Sequence, residues 1–147
     1  MSDRFKAPFP NEQAARAANN GALPPDLSLI TKARIGGADY THALLTGYGD
    51  APAELKLNEG MNYNKYFLAG QFQIAMPPPL SDGVVTYADG TEASVDQMAR
   101  DVSAFLTWAA EPEMEARKRT GIKTILFLIV LTGLLYAAKR KVWASLH

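Results

Sequence analysis

The chain has 147 residues, 15 basic and 15 acidic side chains, and no cysteine, which excludes disulfides, thiolate metal sites and thioether attachment of a prosthetic group within this chain. The neutral total conceals a division: residues 1–116 hold 8 basic against 15 acidic side chains, a net −7, while residues 117–147 hold 7 basic and no acidic ones. An acidic amino-terminal part has the wrong sign for nucleic acid and the right one for a basic protein partner, although solvated acidic surfaces are common without any partner.

Met1 to Pro10 is polar and contains proline, so it does not read as a secretory signal peptide. Asn11 predicts the cap of a short helix over residues 12–18, stopped by Asn19, Asn20 and Gly21. Leu23-Pro24-Pro25-Asp26-Leu27 predicts a rigid turn into a second short helix with Pro and Asp at its start. Paired prolines are usually punctuation; they also make dry, stiff walls for a flat cofactor. Gly36-Gly37 breaks the chain, and a helix opening near Asp39 carries Tyr40, Ala43, Leu44 and Gly47 on one face. Arg34, just before the glycine pair, has a planar fork suited to a carboxylate, but an exposed arginine is the commoner outcome. His42 reads as a solvent-facing histidine and a weak metal candidate.

Residues 49–70 are rich in loop formers, and Tyr63, Tyr66 and Phe67 follow no strict period, which predicts an irregular packed segment rather than a sheet or long helix. Met76 precedes Pro77, Pro78 and Pro79, which fix φ and remove backbone donors. A thioether on so stiff a loop suits an axial position on haem iron, while filling a core is the ordinary work of methionine and the favoured reading of the pattern alone. Val84 to Thr91 predicts a small hairpin around Asp89-Gly90. Ser94 and Gln97 form a capping box for a helix reaching Ala110, with Val95, Met98, Ala99, Val102, Phe105, Leu106 and Ala109 as its core stripe. Glu111-Pro112 ends it and Glu113 restarts a helix.

That last helix enters the stretch GIKTILFLIVLTGLLYAA, residues 121–138. Ile122 to Ala138 is about 17 residues, or roughly 26 Å of helix, slightly short of a bilayer core of about 30 Å. Lys123 extends the span by snorkelling, and Tyr136 and Trp143 suit the headgroup layer at the exit. Arg117, Lys118 and Arg119 flank one end; Lys139, Arg140 and Lys141 flank the other. The short basic tail is expected on the cytoplasmic or matrix side, and the acidic domain in the periplasm or intermembrane space. Exporting a domain ahead of its anchor without a leader is difficult, so Met1 is expected not to be the natural start. The sequence shows no internal repeat, P-loop, dinucleotide fingerprint, zinc spacing or Ser/His/Asp constellation.

The ordered segments ALPPDLS (22–28), KARIGGADYTHALLTGY (32–48), IAMPPPLSDGVVTYADGT (74–91) and WAAEPEMEARKRTGIK (108–123) resemble cytochrome c1, and the span with its KRKVW ending resembles that family's carboxy-terminal anchor. The resemblance covers nearly the whole chain from about Pro8. It implies the membrane-anchored haem subunit of quinol–cytochrome c reductase, respiratory complex III, which passes electrons from the Rieske iron–sulfur protein to a soluble or membrane cytochrome c. It implies Met76 as axial ligand to haem iron, Arg34 near a haem propionate, and Pro25, Ile30, Tyr40, Leu44, Phe67 and Ile74 as pocket lining. It also brings departures. The family attaches haem c through C-x-x-C-H, whose His is the other axial ligand, and this chain has no such motif. Ile35 stands where a His is common, and the segment between Tyr48 and Met76 is slightly long.

The resulting expectation is a mainly α chain: residues 1–112 as the carboxy-terminal part of a c-type cytochrome domain lacking its haem-attachment half, and residues 113–147 as one transmembrane anchor with a basic tail. The expected partners are the amino-terminal half of cytochrome c1 (a separate chain, a missing segment, or lost), cytochrome b, the Rieske protein, a cytochrome c and the bilayer, with no nucleic acid and no standalone enzymatic activity. One rival is a haem-free anchored structural or assembly subunit of the same complex. Another is a fragment that does not fold alone, because losing half of a small domain exposes its core.

Overall fold

A computed structural model describes residues 6–144; residues 1–5 of the polar start lie outside the described residues. The chain is mainly helical, in the order α1 (Glu12–Ala18), α2 (Ile30–Ala33), α3 (Gly37–Thr46), β1 (Asn62–Tyr63), β2 (Gln73–Ile74), α4 (Val95–Ala110) and α5 (Met114–Trp143). It divides into two compact units, one ending at Ala110 and the other starting at Glu111.

In the first unit, α1 forms where its cap demands. Asn11 Oδ1 accepts from the Ala14 amide at 2.8 Å, and Gly21, at φ 86°, closes the far end by donating to the Arg16 carbonyl. The second helix is shorter and later than the Pro-Asp signal predicts. Asp26 does not start it; its carboxylate accepts from the Ser28 hydroxyl and amide at 2.6 and 2.8 Å, which holds its pKa below the ordinary value. This local side-chain bonding competes with helix formation, so α2 waits until Ile30 and lasts four residues. Gly36 and Gly37 then turn the chain at φ 90° and 53°, conformations that a side chain resists.

Helix α3 packs on α4, and α2 packs on both. His42 is not solvent-facing: it is half-buried, and its Nε2 lies 2.9 Å from Oδ1 of Asp96, 54 residues later, on α4. At the start of α4 only half of the capping box forms. The Gln97 amide donates to Ser94 Oγ at 3.2 Å, but the Gln97 side chain turns to Asp101, and Asp82 takes the Val95 amide at 2.8 Å. Helix α4 buries Met98, Ala99, Ser103, Leu106 and Ala110. Val102 and Phe105 of the expected core stripe are instead 38% and 47% exposed, beside Trp108 at 60%. The helix carries apolar residues on two faces, and α2 and α3 cover one.

The hairpin expected over residues 84–91 is absent. The turn itself forms, with the Gly90 amide donating to the Tyr87 carbonyl and the Thr91 amide to Asp89 Oδ1, but no strands flank it. Val84 and Val85 lie exposed, and an isolated two-stranded ribbon without a face to bury is marginal. An antiparallel ladder forms instead between β1, inside the segment 49–70 expected to be irregular, and β2 just beyond it, pairing Asn62 with Ile74 and Tyr63 with Gln73.

In the second unit, α5 runs unbroken for 30 residues, roughly 45 Å. By length and composition it is able to cross a membrane. Arg117 holds Glu111 through two bonds of 2.8 and 3.2 Å at its start, and the Lys139 ammonium lies 5.1 Å from the Trp143 ring centre near its end.

Candidate functional site

Met76 stands two residues beyond β2, immediately before the proline run. Its side chain does not fill the core. Met98 does that at 4% exposure, whereas Met76 is 36% exposed. Its backbone is nonetheless held. The Tyr48 hydroxyl donates to the Met76 carbonyl at 3.1 Å, and Asn62 Nδ2 reaches the same oxygen at 3.4 Å.

Tyr48 is placed where the end of α3 meets residues 64 and 65, Asn62 is placed by β1 itself, and Asn64 joins the two. Asn64 is 0% exposed. Its Nδ2 donates to the Leu44 carbonyl at 2.7 Å, and its Oδ1 accepts from the Tyr66 amide at 3.0 Å. Its own amide donates to the Phe72 carbonyl at 2.9 Å. Tyr48 and Asn64 form an antiparallel bridge, and the Lys65 amide donates to the Gly47 carbonyl at 3.0 Å. Gly47 is required for this approach: a Cβ there would stand 2.7 Å from Asn64 Oδ1 and from the Tyr66 ring. Before β2, Gln71 and Phe72 both adopt positive φ, 52° and 67°, strained for residues with side chains. The Phe72 amide bond to the Phe67 carbonyl at 2.9 Å and the Tyr63–Phe72 ring contact at 6.3 Å hold that turn.

Four of the residues singled out by sequence share this network: Leu44, Phe67, Ile74 and Met76. Tyr40 lies one turn before Leu44 on α3 and is half-buried. Ile30 and Arg34 bracket α2 at the other end of α3; the Arg34 side chain is exposed and makes no ion pair among the described residues. Pro25 is exposed in the preceding loop, and no hydrogen bond ties it to the Met76 network. Sequence reasoning missed Tyr48, Asn62 and Asn64. Asn-x-Asn in a loop-rich stretch looks like turn chemistry, and nothing local marks one amide as buried and the other as a donor to Met76.

Burial pushes the Tyr48 hydroxyl up to about 12 from 10.0. A pKa raised on folding means that the group's stabilising contribution is whole below pH 10 and lost as pH climbs toward 12, because burial disfavours the charged phenolate. Tyrosinate absorbance followed alongside amide exchange of the residues around Met76 is expected to show the loop loosening only in that window. Loosening near neutral pH would contradict this account.

Among the described residues no three His, Cys, Asp or Glu side chains gather as a metal cluster. The donor that the site offers is a single soft sulfur, which suits haem iron or another soft metal and not a hard cation.

A profile of the cytochrome C1 family matches residues 1–146. The mitochondrial cytochrome c1 heme protein of Saccharomyces cerevisiae is 55% identical over 99% of this chain and 47% of its own length. Cytochrome c1 of Rhodospirillum rubrum is 49% identical over 97% of this chain and 57% of its own length. The cytochrome b/c1 protein of Bradyrhizobium diazoefficiens is 51% identical over 99% of this chain, which covers 24% of that larger protein. The chain thus spans about half the length, or less, of these curated relatives. A match along nearly every residue, at an identity far above what fold alone preserves, makes this chain a member of the cytochrome c1 family.

Proposed function

We propose that this chain is the Met-ligand part of a c-type haem subunit in a quinol–cytochrome c reductase, carrying electrons from the Rieske protein to a cytochrome c. The observation that carries this reading is the exposed Met76 thioether on a proline-stiffened loop whose backbone is pinned from two sides. The residues present fit one axial position. They do not supply covalent attachment, because the chain has no cysteine, and His42 is engaged by Asp96 rather than offered as a second axial ligand. In this reading the C-x-x-C-H motif lies outside this sequence.

Bound there, haem c supplies a one-electron iron couple, and a thioether ligand raises its potential. Met76 would hold one axial position. Pro25, Ile30, Tyr40, Leu44, Phe67 and Ile74 would exclude water from the ring, and Arg34 would offset propionate charge. Residues 1–112 would form the haem-facing part on the periplasmic or intermembrane-space side. Residues 113–147 would anchor it in the inner membrane, with the basic tail in cytoplasm or matrix. Cytochrome b would lie beside the anchor and oxidise quinol; no bond-making chemistry falls to this chain.

The test is a reduced-minus-oxidised spectrum of the complex purified through this chain, with a haem-stained denaturing gel and intact masses. A c-type signal is expected, and the mass of the stained band identifies which polypeptide carries the attachment. A complex without c-type haem would leave an anchored structural subunit and end the electron-transfer reading.

A further inference from the structure

The three residues after Met76 are prolines and have no amide protons, so the loop has few ways to anchor its own backbone. Among the described residues, the hydrogen bonds from Tyr48 and Asn62 to the Met76 carbonyl are the only ones made by residues 75–80. The next fixed point along the chain is the turn in which the Val84 amide donates to the Ser81 carbonyl. A methionine side chain has three rotatable bonds and adapts readily, so what limits the reach of its sulfur is where its backbone is held. That hold comes from two different elements. Tyr48 follows α3 and is locked by its bridge to Asn64; Asn62 lies in β1 opposite Ile74.

We propose that Tyr48 and Asn62 are positioning residues for the Met76 thioether, fixing the Met76 carbonyl so that the sulfur stays in place on the iron instead of yielding to a competing ligand. This rests on Met76 being the axial ligand. Tyr48 is the stronger of the two, since its bond is 3.1 Å against 3.4 Å.

The experiment is an imidazole titration of the oxidised complex, followed through loss of the thioether–iron charge-transfer band. In the exchange the sulfur leaves the iron and an imidazole nitrogen takes its place, with no change of redox state. Tyr48→Phe keeps the ring and removes the hydroxyl. It is expected to tighten apparent imidazole binding about two- to tenfold, the value of one net hydrogen bond. Asn62→Ala is expected to move it the same way by about twofold, as befits a longer bond. If Tyr48→Phe does not assemble, Asn62→Ala decides alone: tighter imidazole binding supports the proposal and wild-type affinity overturns it. A variant that unfolds at lower temperature but binds imidazole like wild type has a purely structural role, and that result also overturns it. Met76→Leu separates the two layers. If it abolishes the band while Tyr48→Phe and Asn62→Ala leave imidazole affinity unchanged, only the positioning role fails. If the band survives in Met76→Leu, the ligand assignment and the positioning role fall together.

Discussion

Met76→Leu is expected to abolish the thioether–iron band and to lower the haem potential by on the order of 0.1–0.3 V, a fraction of the roughly 0.8 V over which axial ligands set haem potentials. The size follows from chemistry rather than packing. Leucine matches methionine in volume, so a swap of this kind in a core costs under about 1.5 kcal/mol and leaves spectra alone. At 36% exposure Met76 has still less packing to lose. Potentiometry and absorption spectra of the assembled complex therefore divide a ligand from a filler. A variant with a wild-type potential and an intact band would mean that Met76 does not ligate the iron.

The largest expected loss of stability is at Asn64. Asn64→Ala leaves the Leu44 carbonyl and the Tyr66 amide without their partners at a position with no solvent access, a penalty of about 2–5 kcal/mol for the two groups together. Asn64→Asp is expected to be no milder in spite of its size. A carboxylate still accepts from Tyr66, but it has no proton for the Leu44 carbonyl 2.7 Å away, and it buries a charge. Thermal unfolding of the complex measures the loss, and limited proteolysis is expected to open the chain between residues 62 and 76. If Asn64→Ala stays within about 0.5 kcal/mol of wild type, as ordinary surface changes do, the network does not brace the site.

Local codes were legible. Asn11 caps α1 through a bond spanning three residues, and Pro112 separates α4 from α5. The apolar run after Lys123 forms helix throughout, because every turn of it satisfies its own backbone. Where two local signals compete, the reading slipped. Asp26 bonded to Ser28 instead of opening a helix, and Gln97 reached Asp101 instead of closing its box. The reading of Met76 as a ligand rests on family resemblance, since composition and period alone favoured a core methionine.

The sequence by itself determined most of the helices, the breaks between them, an apolar stretch long enough to cross a membrane and the family, all of which are written in neighbouring residues or in an ordered series of motifs. Only the tertiary structure decided that His42 meets Asp96, which face of α4 is buried, that strands form around residues 62–74 rather than 84–91, and that Tyr48 and Asn62 hold the Met76 carbonyl. The hydrogen bonds among these join residues 14 to 54 apart, and the strand pairs join residues 10 and 12 apart. Their free energy depends on the path of the whole chain, which no local propensity or spacing encodes.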